Sequence, residues 1–500
     1  MWAELSATPW GPIIGSNWSD TGVEGTFIVV NPATGSALAE VRDSTEVTVD
    51  AAIESSRQAF STWRLRSPRE RAQLLRLVAA VLREHSDELA ELESLENGKP
   101  ARDALAFDVT YAHLTFDFFG GLAETVTGTI VQQGAIDAQI IPEPYGIIGA
   151  ILPFNWPPIH FAAKAAPALA TGNTIIIKPG EQAPLTVLRM VELANTVLPS
   201  GVLNAVTGLQ AGLAICAHPG VDRLSFTGAP ETGRKVMASA APNLTPSTME
   251  LGGKNALLVF PDADLDNALS HAIDGAFFNQ GEACTATARI LVHDDVYNEF
   301  LARFAAATER LVVGEGTDTG TDLGPMVDQK QQARVLSYID IARAEGARLV
   351  TQGEIPSEEH LRGGYWVPPT VFADVTPEMR IAQEEVFGPV VAFMRFSTEE
   401  EALQIANGTA FGLTAAVFTA DLTRARRMAS DLQAGMVFIN NYFRASLLGS
   451  PFGGVKASGF GREGAEETLR DYVRSKNVRY PSGLRAVPEW VSAARVTKTG

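Results

Sequence analysis

The sequence has little cysteine, little histidine and no excess of positive charge. Two cysteines in 500 residues, Cys216 and Cys284, exclude a disulfide framework and suit a reducing compartment. The seven histidines are scattered, with neither an HExxH nor a Cys-x-x-Cys pattern, so no metal held by the protein is predicted. A formal net charge of -18 argues against nucleic-acid binding, which needs a basic face.

Long apolar segments are also missing. No run approaches the roughly 20 apolar residues that span a bilayer. Residues 1–20 have no basic segment followed by an apolar one, as a secretory signal would. We therefore expect a cytoplasmic protein without membrane contact. The length of 500 residues exceeds one ordinary core, so two or three domains are expected.

Periodicity predicts an α/β protein. Residues 46–97 have helical spacing and end at the stop signal Asn97-Gly98. From residue 146 short apolar runs alternate with helical segments, closing with one strand within 247–260. Such alternation predicts a doubly wound, Rossmann-type parallel sheet, with ligands outside the carboxyl ends of its strands. After Asp262 the alternation restarts, which indicates a second α/β domain.

Two extended segments stand apart from this alternation. Residues 123–145 are predicted to form a hairpin that interrupts the first domain, and residues 472–480 a strand near the end. Strands with free edges invite pairing with another chain. Contact with another subunit is therefore expected at these segments.

Cys284 is the candidate nucleophile. It lies at 277–290 in a run of small and polar residues, FFNQGEACTATARI, and Gly281 ahead of it indicates an accessible turn. A free cysteine is most often a buried small hydrophobe, and Cys216, on the apolar side of a helix, fits that description. Nearby backbone N–H groups are expected to increase the thiolate fraction of Cys284, and the thiolate is the nucleophile.

Two polar side chains follow strand ends. Asn155, in LPFNWPP, can donate its amide to a developing oxyanion; taken alone, a turn-forming asparagine is the more frequent case. Glu250, in STMELGGKN, can act as a general base toward water; taken alone, a surface glutamate is equally consistent.

Two strand–helix junctions suggest a nucleotide site. Lys178 and Glu181, in IIIKPGEQAP, can bond the ribose hydroxyls of an adenosine; taken alone, an exposed charge pair is the simpler explanation. Glu181 would repel a 2′-phosphate by roughly 4 kcal/mol per unit charge, which favours NAD. Gly228 and Gly233, in LSFTGAPETGRKV, allow a phosphate to approach a helix N-terminus. Their G-x-x-x-x-G spacing is weak evidence, because glycine is common in such turns.

In their order along the chain these motifs resemble the aldehyde dehydrogenase superfamily of NAD(P)-dependent, non-acylating enzymes. The resemblance covers about residues 25–480. It rests on PFNWP, IIKPGEQAP, FTGAPETG, MELGGKN, NQGEAC, EEVFGPV, NGTAFGL and PFGGVKASGFGRE. It implies a homodimer or homotetramer whose subunit has three parts. These are an NAD-binding domain (1–122 and 146–253), a catalytic domain (254–456), and a small β oligomerisation domain with a tail (123–145 and 457–485).

The resemblance also assigns roles to single residues. It makes Cys284 the nucleophile, Glu250 the base, Asn155 the oxyanion amide and Lys164 a neighbour of the active-site funnel. NAD, with NADP less favoured, is expected to contact Ile151, Pro153, Trp156, Lys178, Glu181, Phe226, Thr227, Gly228, Ala229, Gly233, Leu251, Gly252, Glu385 and Phe387. Aligned motifs place Tyr111, Trp156, His160, Ala163, Ala283, Thr285 and Phe452 along the funnel. Ala229 stands where many members have serine, which removes one phosphate hydrogen bond.

The function implied is NAD-dependent oxidation of an aldehyde to the carboxylic acid through a cysteine thiohemiacetal and thioester. Aromatic walls and the small Ala163 suggest a bulky or aromatic aldehyde, although the same aromatics also pack tunnels for aliphatic substrates. A CoA-acylating enzyme is an alternative, against which Glu250 argues because such members generally lack this base. A noncatalytic protein of the same fold is a further alternative, against which the intact Cys284, Glu250 and Asn155 argue together.

Overall fold

Four β-sheets organise the part of the chain that the computed structural model describes, residues 8–442 and 447–497, apart from the side chain of Ala494. The strands are Ile13–Ile14 (β1), Asn17–Trp18 (β2), Val23–Asn31 (β3), Ser36–Ser44 (β4), Thr129–Gln133 (β5), Ile136–Pro144 (β6), Ile147–Ile151 (β7), Thr174–Lys178 (β8), Leu203–Ala205 (β9), Arg223–Gly228 (β10), Ser247–Leu251 (β11), Ala256–Val259 (β12), Arg289–His293 (β13), Arg348–Gln352 (β14), Thr370–Ala373 (β15), Val390–Phe396 (β16), Thr414–Phe418 (β17), Met436–Ile439 (β18), Gly459–Phe460 (β19) and Val473–Pro481 (β20).

Helices cover the faces and join the strands. The α-helices are Glu46–Trp63, Pro68–Glu84, Ser86–Asn97, Ala101–Asp103, Thr110–Leu122, Pro157–Ala170, Leu185–Asn195, Leu209–Ala217, Pro230–Ala240, Leu265–Phe277, Asp294–Thr308, Gln329–Ala344, Arg380–Gln383, Glu399–Asn407, Leu422–Asp431, Thr468–Asp471 and Val491–Thr497. A π-helical segment spans Ala104–Val109, and short 3₁₀ turns span Ala123–Thr125, Ala241–Asn243, Phe278–Gly281, Glu359–Leu361 and Lys456–Ser458. No helix among the described residues is long and apolar enough to cross a membrane.

The first sheet has eight strands in the order β19-β11-β10-β7-β8-β9-β1-β2. Its five central strands, which are β11, β10, β7, β8 and β9, are parallel. The Ile175-Ile176-Ile177 run of β8 is fully buried, as expected for a strand covered on both faces. Because these strands run in one direction, their carboxyl ends meet at one edge, where α/β folds bind ligands.

The second sheet has seven strands in the order β14-β15-β16-β13-β12-β17-β18, all parallel except the edge strand β14. Strands β6 and β20 pair along their whole lengths in a three-stranded antiparallel sheet with β5. The predicted fold class, two α/β sheets with a small β unit, is confirmed. The limits of the three predicted parts remain predictions, and residues 1–7 and 443–446 of those parts lie outside the described residues.

One local prediction needs correction, and the helical prediction for 46–97 gains detail. The stretch 247–260 holds two strands, β11 and β12, rather than one, and they belong to different sheets. The glycines Gly252 and Gly253 between them let the chain pass from one sheet to the other. The helical stretch 46–97 is three helices, because Ser67 caps a new helix through a capping box with Glu70.

Candidate active site

Cys284 follows a strained left-handed turn. Asn279, Gln280 and Gly281 have φ values of 55°, 57° and 71°, a region that costs non-glycine residues energy. A Cβ on Gly281 would collide with the carbonyl oxygen of Gly388, so glycine is required there. The backbone after the turn is also held, because Asn255 Nδ2 donates to Cys284 O at 2.8 Å. These local contacts fix the backbone of Cys284 between the helix Leu265–Phe277 and strand β13.

The thiol of Cys284 lies on the wall of a cavity of about 440 Å³. Burial raises the pKa of Cys284 well above its usual value, and the Glu385 and Glu250 carboxylates raise it further. Hydrogen bonds from the Cys284 and Thr285 backbone N–H groups lower this pKa but are outweighed. The backbone N–H groups thus favour the thiolate, as expected, but burial and the two carboxylates outweigh them. The resting side chain is a thiol and needs a proton acceptor.

Glu250 sits near the end of β11 and is 2% exposed, which rules out a surface glutamate. Among the described residues neither of its carboxylate oxygens has a hydrogen-bond partner. Burial, followed by the Glu463 carboxylate, raises the pKa of Glu250 well above its usual value, while Lys164 and Arg462 lower it. A buried carboxyl with a raised pKa and free oxygens has the properties of a general base.

Asn155 is buried in the loop between β7 and the helix Pro157–Ala170. Its Nδ2 donates to Glu282 O at 3.0 Å, two residues before the nucleophile candidate. Its Oδ1 lies 3.3 Å from His160 Nε2. Burial, then the charges of Lys164 and Lys99, hold the pKa of His160 well below its usual value, so the imidazole is neutral. Asn155 is therefore more than a turn former, because its amide is aimed at the Cys284 segment.

Lys164 lies beneath the cavity rather than on its wall. It is fully buried on the helix Pro157–Ala170. Its Nζ donates to Glu463 Oε1 at 2.6 Å and to Thr227 Oγ1 at 2.7 Å. Glu463 itself lines the cavity. Lys164 thus joins the end of β10 to a cavity carboxylate, and its charge favours the ionised form of Glu250.

The predicted cofactor residues gather at the carboxyl edge of the first sheet. Ile151, Lys178, Gly228 and Leu251 each end one of the adjacent strands β7, β8, β10 and β11, and Phe226 and Thr227 precede Gly228 on β10. Pro153 and Trp156 lie in the loop after β7. The Lys178 ammonium bonds the Glu181 carboxylate. This charge pair borders the strand edge, as the predicted ribose contacts require.

A Cβ on either glycine of the β10 turn would crowd a neighbouring side chain. A Cβ on Gly228 would lie 2.6 Å from Phe226 Cζ, and one on Gly233 would lie 2.8 Å from Leu251 Cδ2. The helix Pro230–Ala240 that follows has Ala229 at its N-cap, which forms no side-chain cap. Its first backbone N–H groups therefore lack a side-chain acceptor, an arrangement that suits an anion.

Glu385 and Phe387 approach the same region from the second sheet. Glu385 Oε1 accepts a hydrogen bond from Gly253 N at 2.9 Å, and a Cβ on Gly252 would collide with this carboxylate. Burial raises the pKa of Glu385 to about 7. Phe387 has a φ of 63° and its ring meets Phe154 edge-on at 5.9 Å. Glu385 thus contacts the chain directly after β11, and Phe387 contacts the loop after β7.

The cavity brings together six of the seven predicted funnel residues: Tyr111, Trp156, His160, Ala163, Thr285 and Phe452. Ala283 is buried and is not among the wall residues, and its contact with substrate stays a prediction. Sequence reasoning missed seven wall residues: Phe107, Ile159, Ser270, His271, Asp274, Phe278 and Glu463. Of these, Phe278 lies in the same short stretch as Cys284 and could have been found. The others come from helices and a loop that only tertiary packing brings to the site.

Aromatic rings form one side of the cavity. Trp156 stacks on Phe278 with ring centroids 5.6 Å apart, and Phe278 meets Phe107 edge-on at 4.8 Å. Such pairs hold rings in place beyond their burial alone. Among the described residues no group of His, Cys, Asp or Glu could hold a metal ion.

Comparison with known proteins identifies a family. The family model described as "Aldehyde dehydrogenase family" matches residues 18–478. An aldehyde dehydrogenase of Monascus ruber is 49% identical over 483 residues, covering 96% of each chain. One of Didymella fabae is 47% identical over 466 residues, covering 93% of this chain and 94% of that one. The crystal structure of a Staphylococcus aureus betaine aldehyde dehydrogenase in complex with NAD⁺ superposes with a TM-score of 0.93 at 35% identity, covering 98% of this chain and 97% of that one.

Proposed function

This chain belongs to the aldehyde dehydrogenase family, and we propose that it oxidises an aldehyde to the carboxylic acid through a thioester on Cys284. It is accordingly an NAD(P)-dependent aldehyde dehydrogenase. One observation carries the mechanism: Cys284 lines the cavity, and Glu250, although not on the cavity wall, is buried with neither carboxylate oxygen bonded among the described residues. The amide of Asn155 reaches the same segment of chain.

The carboxyl edge of the first sheet fits NAD. The uncapped N-terminus of Pro230–Ala240 would hold the pyrophosphate, and Lys178 with Glu181 the adenosine ribose. Glu385, beside Gly253, would hold the nicotinamide ribose. The NAD⁺ complex of the Staphylococcus aureus relative supports this choice of cofactor. NAD, when bound, supplies the acceptor for the hydride that leaves the substrate carbon.

The protein's own groups account for the covalent steps. The Cys284 thiol gives its proton to water in the cavity, and its Sγ then attacks the aldehyde carbon. The oxygen that becomes negative accepts hydrogen bonds from Asn155 Nδ2 and the Cys284 backbone N–H. Loss of hydride from this adduct leaves the thioester. Glu250 then takes a proton from water, whose oxygen attacks the thioester carbon. The carbon–sulfur bond breaks, which releases the carboxylic acid and restores the Cys284 side chain.

Replacing each cysteine in turn tests this assignment. Cys284→Ala is expected to abolish the formation of NADH from aldehyde and NAD. Cys216→Ala is the matched control, because Cys216 is 4% exposed in a helix of the first domain and lies away from the cavity wall. Full activity of the Cys284→Ala protein would overturn the covalent scheme.

A bulky or aromatic aldehyde is the substrate class we infer. The cavity volume lies within the range of small-molecule sites. Its aromatic residues, among them Phe107, Trp156 and Phe278, offer flat apolar faces to a ring. The specificity constants for benzaldehyde, hexanal and acetaldehyde test this inference. A strong preference for acetaldehyde would contradict it.

We further infer a homodimer or homotetramer. Strand β5 is exposed along its whole length at the edge of the three-stranded sheet, and an exposed edge of this kind pairs readily with another chain. Light scattering after size-exclusion chromatography gives the mass in solution. A monomer at micromolar concentration would contradict this inference.

A further inference from the structure

Lys99 is a buried cation next to the candidate active site, and the mechanism above does not use it. Its side chain is 1% exposed. Its Nζ donates to Asp108 Oδ1 at 2.6 Å and to the backbone oxygen of Asn155 at 2.9 Å, and it lies 2.7 Å from Glu93 Oε1. The two carboxylate side chains are 0% exposed. A buried charge of this kind is costly unless it is paired, so its location needs a reason.

The two acidic side chains affect the charge of Lys99. Burial favours a neutral amine, but the Asp108 and Glu93 carboxylates together raise the pKa of Lys99 above its usual value. Burial, and next the Asp108 charge, raise the pKa of Glu93 well above its usual value. The two acidic side chains therefore favour the charged form of Lys99. Lys99 remains a charged donor to the Asn155 carbonyl.

The sequence builds this cluster with two local devices. The helix Ser86–Asn97 ends at Gly98, whose φ is 94°; a Cβ there would lie 2.8 Å from Pro325 Cγ. Ser94 Oγ then donates to Lys99 O at 2.7 Å. Asp108 lies in the π-helical segment Ala104–Val109, a distortion often found at functional sites.

The π-helical segment serves the cavity as well as the cluster. Asp108 contacts Lys99, while the preceding residue, Phe107, lines the cavity. Lys99 Nζ also lies 4.3 Å from the ring centroid of Trp156, another wall residue. The cluster thus contacts both the backbone of Asn155 and the aromatic wall.

Further donors fix the same loop. Asn97 Nδ2 donates to Phe154 O at 2.9 Å. Asn279 Nδ2 donates to Asn155 O at 3.2 Å and to Glu282 O at 3.1 Å. The backbone of Asn155 is therefore held from two sides, and its side chain is aimed at the segment of Cys284.

We propose that Lys99, supported by Asp108 and Glu93, is a positioning residue that fixes the Asn155 amide for oxyanion stabilisation. The inference rests on the proposed function. Lys99 acts through Asn155 and touches no reacting atom. Because small misplacements of catalytic groups cost up to about 10²-fold in rate, removing Lys99 should slow the step that forms NADH. The effect should require the Asn155 side chain.

The substitution must not leave a charge buried alone. Lys99→Met would strand the Asp108 carboxylate, and that variant is expected to fold poorly. The compensated variant Lys99→Met with Asp108→Asn removes both charges together. Arg71→Met is the matched control, since Arg71 is also a buried cation and donates to Ala170 O, at the other end of the helix that follows Asn155.

A double-mutant cycle with Asn155→Ala gives the decisive readout. Stopped-flow fluorescence measures the rate constant of NADH formation in the first turnover. With Asn155 present, the compensated variant should form NADH about 10- to 100-fold more slowly than the unsubstituted protein. In the Asn155→Ala background, adding the same two substitutions should change the rate constant by no more than about twofold. Arg71→Met should leave this rate constant unchanged.

Other results would overturn the inference. They are an equal slowing in both backgrounds, no slowing when Asn155 is present, or an equal slowing by Arg71→Met. Each would mean that the Lys99 cluster acts only on stability. Failure of the proposed function is separate, because it would appear as NADH formation by the Cys284→Ala protein.

Discussion

The substitution Glu250→Gln separates the two halves of the proposed reaction. The amide keeps the shape of the side chain but cannot take a proton from water. Cys284 and Asn155 are unchanged, so the first turnover, measured as a burst of NADH, should remain. A positioned base typically contributes about 10²–10⁴ in rate, and steady-state turnover should fall by that factor.

The same substitution has a stability signature whose sign follows from burial. Burial, and next Glu463, hold the pKa of Glu250 well above its usual value; in the unfolded chain a glutamate titrates near about 4.3. Between these two values the unfolded chain has released its proton and the folded protein has kept it. Rising pH therefore lowers the free energy of unfolding by about 1.4 kcal/mol per pH unit in this interval. The Glu250→Gln protein lacks this fall in the free energy of unfolding, because the glutamine side chain does not titrate.

Two measurements test this prediction. Denaturant unfolding at a series of pH values above about 4.3 should show Glu250→Gln gaining stability relative to the parent protein as pH rises. Stopped-flow kinetics should show the burst without steady turnover. Glu91→Gln is the control, because Glu91 is an exposed glutamate on a helix. Two results would refute Glu250 as the base for thioester hydrolysis. One is unchanged steady turnover in the Glu250→Gln protein, and the other is loss of both the burst and the steady turnover.

Three further predictions concern the cofactor, the substrate and the turn before the nucleophile. Glu181→Gln removes a charge that would repel a 2′-phosphate, so kcat/KM for NADP should rise about tenfold or more while that for NAD changes less, as steady-state kinetics would show. Phe278→Ala removes ring contacts with Trp156 and Phe107 and should lower kcat/KM about three- to tenfold for benzaldehyde but not for acetaldehyde; equal losses for both would contradict an aromatic site. Gly281→Ala, at a φ of 71°, should lower the free energy of unfolding by about 1–3 kcal/mol in denaturant titrations.

Local periodicity predicted much of this fold because parallel strands have a distinct pattern. The buried Ile175–Ile177 run and the helix stop at Asn97-Gly98 both lie where the sequence predicted them. The π-helical segment Ala104–Val109 was not predicted, since no local pattern distinguishes it from an α-helix. The separation of β11 from β12 was missed for a related reason: two short apolar runs look alike whichever sheet they join.

The candidate site was predicted to the extent that each residue lies in a short motif. Cys284, Asn155 and Glu250 each follow or end an element that periodicity locates. The long-range contacts were not predictable in this way: Asp274 and His271 reach the cavity only through helix packing. The Lys99 cluster was missed, although Glu93, Lys99 and Asp108 lie close together along the chain, because a buried ion pair has no sequence pattern.

Mass spectrometry of the quenched protein, before and after digestion, gives the most direct test of the central claim, that the Cys284 sulfur carries the substrate as a thioester. The Glu250→Gln protein would be mixed with benzaldehyde and NAD, quenched in acid and digested. The account predicts one acyl group per chain, on the peptide that contains Cys284, and none in a protein that also carries Cys284→Ala. An NADH burst with no acyl group on Cys284, or with the group on Cys216, would contradict it.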